Sequence, residues 1–101
     1  MIIDAKSQIM RRIHREIRYT PKALSIIEKH LDEIIKRHND ILEIDCVFKE
    51  KSLLFIVVDE MDPRSDMYCP HRITTRFVID TKNDKWGTYE KKEIKVYSWH
   101  K

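Results

Sequence analysis

Three residue sets in this chain are of the types that do chemistry at a metal ion or a phosphate. Asp80, followed later by Glu93-Ile94-Lys95, has the make-up of a Mg²⁺-dependent phosphodiesterase or nuclease. In such a site paired carboxylates hold the ion, and the lysine activates water or steadies a phosphate. A Glu-x-Lys tripeptide also recurs by chance in any chain this rich in Lys and Glu, so Asp80, Glu93 and Lys95 form a weak set. Cys69 and His71 flank Pro70 and offer two soft-metal ligands at i and i+2. A closed zinc site needs four, and Cys46, His14, His30, His38 and His100 do not stand at ligand spacing. Asp45, Asp59, Glu60, Asp62 and Asp66 can gather at one edge of a hairpin around a hard cation, but they miss the calcium-loop spacing. A single glycine, Gly87, excludes a Gly-rich phosphate loop. No catalytic set, cofactor or metal is therefore expected.

Charge and aromatic residues point instead to binding. Residues 1–38 hold nine Lys/Arg against five Asp/Glu, residues 39–68 three against eight, and residues 69–101 eight against four. Such segregation is a statement about partners rather than fold. Arg11, Arg15 and Arg18 fall at i, i+4 and i+7 with Arg12 beside them, and Arg12 stands one turn before Glu16. A stripe of this kind meets phosphates or an acidic protein patch, or is simply a solvated face. Trp86, Tyr89, Tyr97 and Trp99 are interleaved with Lys85, Lys91, Lys92 and Lys95, a composition suited to stacking bases or anchoring a partner. No helix-turn-helix, zinc-finger or RNA-binding aromatic motif accompanies them. An acidic segment over 59–66 facing a basic helix also suits head-to-tail self-association.

The elements that must position these groups follow from periodicity. Leu53-Leu54-Phe55-Ile56-Val57-Val58 is an unbroken apolar run of strand composition, suited to burial on both faces. Asp4 as N-cap opens a helix over 4–18, with Ile9, Met10, Ile13 and Ile17 as its stripe. Thr20 as N-cap with Pro21 at N1 opens a second helix over 21–39, lined by Leu24, Ile27, Leu31, Ile34 and Ile35, with His38 as a half-buried cap. Ile44, Cys46 and Phe48 alternate with Asp45, Val47 and Lys49 over 43–49, predicting a strand whose one buried face Ile44, Cys46 and Phe48 form. Further strands are predicted over 53–59, 72–80, 85–89 and 93–99, with residues 59–70 as one long irregular loop and Gly87 as a bulge or close-approach site.

The expected fold is a single α+β domain over 1–101. Two helices lie on one face of a four- to five-stranded, mostly antiparallel sheet, in the order α-α-β-β-β-β-β. Two cysteines and the absence of a basic leader or long apolar run predict an intracellular, cytoplasmic setting. The expected function is a small non-catalytic interaction or regulatory protein. Its partner is a protein or nucleoprotein met through Arg11, Arg12, Arg15, Arg18, Lys95, Tyr97 and Trp99. Direct nucleic-acid binding is the first alternative and the Mg²⁺-dependent nuclease the second; no membrane partner is expected.

Overall fold

The computed structural model describes residues 4–65, 71–89 and 96–100. Helix α1 spans Ala5–Glu16. Asp4 caps it, accepting from the Ser7 amide at 3.3 Å and the Ser7 hydroxyl at 2.8 Å. It ends two residues before the expected boundary because Ile17 turns extended, at φ −130°. The chain must already be extended by Thr20, which precedes a proline and cannot stay helical. Helix α2, Pro21–Arg37, starts where Thr20 accepts from the Ala23 amide at 3.2 Å, and His38 closes it by donating its amide to Ile34. Ile27, His30, Leu31 and Ile34, one face at i, i+3, i+4 and i+7, are its buried residues. No helix among the described residues is long and apolar enough to cross a membrane.

Strands β1 (Ile41–Glu50), β2 (Leu53–Met61), β3 (Arg72–Asp80) and β4 (Lys85–Tyr89) form an antiparallel meander, and β5 (Val96–His100) extends it beyond β4. The helices cover one face. There Ile9 and Ile13 of α1 and Ile27, Leu31 and Ile34 of α2 pack on Ile44, Val47, Leu54, Ile56, Val58, Phe77, Ile79 and Trp86. Phe55, Val78 and Tyr89, with Leu53 beside them, make a second cluster. The alternation of β2 sends Phe55 to the opposite face from Leu54 and Ile56, so the central run is buried on both sides as its composition predicts.

Two expectations fail locally. Cys46 and Phe48 do not face the helices; Val47 does, and Phe48 is 43% exposed. A register shift between Ile44 and Cys46 inserts an extra residue against β2 and inverts the facing of everything after it. The irregular loop is also shorter than 59–70. Asp59, Glu60 and Met61 continue β2, paired with Thr74, Ile73 and Arg72. Residues 66–70 and 93–95, including Cys69, Glu93 and Lys95, lie outside the described residues.

Candidate functional site

Asp80 is occupied by its own turn. It is 6% exposed, and its carboxylate accepts from the amides of Lys82 (3.0 Å) and Asn83 (3.1 Å) and from the Asn83 side chain (2.8 Å). Burial pushes its pKa up, but these donations outweigh it and hold the carboxyl below its ordinary value of 3.8. One turn residue on, Asp84 sits at φ 55° and joins the hairpin to α2 through Lys29 and the buried His30, whose Nε2 lies 2.7 Å away. Asp80 therefore shapes the β3–β4 hairpin, and the other members of the expected nuclease set, Glu93 and Lys95, lie outside the described residues. His71 is exposed, its amide and carbonyl both bonded to the Ser65 hydroxyl at 2.6 and 2.9 Å.

The five-acid cluster divides. Asp62 is taken by the amide, Nε and Nη2 of Arg64. Glu60 accepts from the Thr75 hydroxyl at 2.9 Å and faces His38 at 3.3 Å. Asp45 and Asp59 do meet, joined by Glu43, whose register position opposite Asp59 was not legible without the strand pairing. Arg72 reaches Glu43 at 3.5 Å and Thr74 donates to Asp59 at 3.1 Å. Three carboxylate oxygens within 4.8 Å suit a hard cation chemically, yet they fall short of the six to eight oxygens a calcium ion takes.

The crowding shows in Asp45. Burial, then Asp59 and Glu43, push its pKa above 3.8 against the pull of Arg12. A carboxyl raised in the folded state binds protons more tightly there, so stability falls as pH rises from 3.8 through the folded value and stays reduced above it. Asp45→Asn is expected to be more stable than wild type near neutral pH, by about 0.5 kcal/mol for like-charge strand neighbours. The gain should vanish toward about pH 3, where Asp45 is protonated in both states. Urea melts at both pH values check this, and an equal gain at both would remove the charge explanation.

The arginine stripe of α1 does not survive as a row. Arg12 turns inward and donates to the carbonyls of Ile44 (3.1 Å) and Asp45 (3.2 Å), at the bulge of β1. It does not pair with Glu16, which takes Arg15 at 3.1 Å. Lys6 is drawn to Glu28 and Asp32 of α2. Arg11 and Arg15 stay exposed on the helix, while Arg18, past the helix end, joins a separate concavity with Tyr19, Lys49, Lys51, Ser52 and Thr81. Lys49 lies over the Tyr19 ring at 4.8 Å. The Tyr19 hydroxyl is buried with no hydrogen-bond partner among the described residues, and burial pushes its pKa up to about 12.

The aromatic set also divides. Trp86 lies under the helices, donating Nε1–H to Glu33 at 3.1 Å and meeting Phe77 edge-on at 6.2 Å. Tyr89 is on the other face, edge-on to Phe55 at 5.1 Å. Strand parity carried this signal, since residues three apart on a strand point opposite ways. Phe48, which periodicity places on the inner face, stacks instead on Phe55 at 4.9 Å on the face that no described helix covers. Trp99 pairs with Gly87 and is 37% exposed beneath Lys85, whose Nζ is 4.4 Å from the ring centre. Gly87 is thus the close-approach site, leaving room for an indole across the strands. Tyr97 falls at the register shift opposite Thr88 and Tyr89. Helix α1 packs over β1, and β5 lies four strands away at the opposite edge, about 19 Å at ordinary strand spacing. The basic helix and Trp99 are therefore not one surface. Comparison with protein-family models, curated proteins and solved structures finds no match.

Proposed function

We propose that this chain is a non-catalytic interaction domain that docks a protein partner on the helix-free face of its sheet. One observation carries the reading. The described helices cover a single face, and the other presents exposed Phe48 and Trp99 around buried Phe55, Val78 and Tyr89. Aromatic side chains held rigidly by neighbours are what dominates protein interfaces. The rim is of mixed sign, with Glu43, Asp45 and Asp59 toward one end and Arg76 and Lys85 along the neighbouring strands. That pattern favours a protein surface over a polyanion. Two of the carboxylates considered as metal ligands, Asp80 and Asp62, are taken up by local donors, which favours a binding role over metal-dependent chemistry. A chain with only two cysteines fits a reducing, cytoplasmic setting.

The test compares immobilised wild type, Phe48→Asp and Arg11→Glu as baits, alongside sedimentation of each protein alone. A stoichiometric protein held by wild type and Arg11→Glu but lost from Phe48→Asp is expected. The loss should be on the order of 30-fold in affinity, the lower bound for an interface anchor. A dimer that Phe48→Asp abolishes would identify the partner as a second copy. Retention of every ligand by Phe48→Asp would sink the reading.

A further inference from the structure

We infer that the end of the molecule where α1 meets α2, which shares only Phe48 with the sheet face, is a binding groove for the phosphodiester backbone of a single-stranded nucleic acid. Three adjoining concavities run around this end. The central one is lined by Arg18, Lys49 and Lys51; it shares Arg18 and Lys49 with a second, which reaches Phe48, and Thr20, Ala23 and Thr81 with a third, which adds Lys22 and Lys82. Five cations thus follow one track. None of the five forms an ion pair with a carboxylate among the described residues, whereas the two carboxylates that line the track are engaged elsewhere. Glu16 is held by Arg15 at 3.1 Å, and Asp84 by Lys29 at 2.8 Å and His30 at 2.7 Å.

The groove is built before any ligand arrives. Thr81 donates its amide and its hydroxyl to the Ser52 carbonyl, each at 3.1 Å, tying the β1–β2 turn to the β3–β4 turn. Lys51 is held at φ 55° in the first of these turns, and Lys49 rests on the Tyr19 ring. A run of unneutralised cations along a fixed concavity suits a ligand with regularly repeated single negative charges. A base leaving the Arg18 end meets the exposed ring of Phe48, a stacking partner that a purely acidic chain such as polyglutamate has no ring to use. The track bends around the edge strand β1, from Val47 on the helix side to Phe48 on the other. A flexible single strand follows such a bend, and a duplex, stiff over roughly 150 base pairs, does not.

Fluorescence anisotropy with a labelled oligouridine of about 12 nucleotides, across a salt series, tests this. Wild type is expected to bind at low salt, with log affinity falling by about 0.7 per contacted phosphate on a log salt axis. The double variant Arg18→Gln with Lys51→Asn should lose at least about tenfold in affinity and make that slope shallower by about 1.4. Asparagine is chosen at 51 because it tolerates positive φ, so the turn persists. Arg11→Glu, on the outer face of α1, should bind much closer to wild type. Four results would each overturn the assignment: no binding at low salt, an unchanged slope in the double variant, equal weakening by Arg11→Glu, or polyglutamate of equal charge competing as well as the oligonucleotide.

Discussion

Replacing Trp86 with alanine should destabilise the protein by about 3–5 kcal/mol, the range for emptying a buried indole site. The side chain is 1% exposed and fills the space between β4 and α2, against Phe77. Small domains are stable by only about 5–15 kcal/mol, so the variant should melt at far lower denaturant and can be largely unfolded at 37 °C. Trp86→Phe keeps most of the volume and removes the donation to Glu33. Glu33 still holds Arg37 at 3.2 Å, so this change should lose only about 1 kcal/mol. Urea unfolding followed by circular dichroism measures both. A loss below about 1 kcal/mol for Trp86→Ala would mean that the ring is not core, and would return it to the exposed aromatic set that its sequence neighbours suggested.

Asp80→Ala should destabilise by about 2–3 kcal/mol, since it removes the charged acceptor of three donors in the β3–β4 turn. Asp80→Asn should be milder, because its amide oxygen still accepts the two backbone N–H groups. The pH dependence distinguishes a turn anchor from a neutral filler. The Asp80 carboxyl titrates below its unfolded value of 3.8, so its charge stabilises the fold fully above that pH. The contribution is lost as pH falls through the folded pKa, and the gap between wild type and Asp80→Asn should close there. Equilibrium melts between about pH 2 and pH 7 check it. A large gap persisting at the acid end, or an effect of Mg²⁺ on the wild-type melt that Asp80→Asn abolishes, would contradict the turn assignment and revive a metal role for this residue.

Much of the architecture was legible in local chemistry. Asp4 and Thr20 cap the helices they were expected to cap, Pro21 opens α2, and β3 and β4 occupy residues 72–80 and 85–89 as their alternation predicts. The end of α1 was legible only to within a turn, since Pro21 imposes extended backbone on Thr20 while the helix already stops at Glu16. Composition grouped Trp86 with Tyr89, and the structure puts them on opposite faces, as the parity of a strand requires of residues three apart.

The candidate surfaces were not legible to the same degree. Phe48 reaches the helix-free face only because β1 bulges between Ile44 and Cys46, and the same bulge turns Arg12 inward to the carbonyls there. Glu43 meets Asp59, and Arg18 meets Lys49 and Lys51, across separations that no periodicity encodes. By itself the sequence determined which elements form and where most of them begin, because caps, proline geometry and apolar period act within a few residues. Only the tertiary structure decided which faces those elements present to one another and to solvent. Strand register and bulges depend on the partner strand, and a one-residue shift reverses the facing of every side chain beyond it.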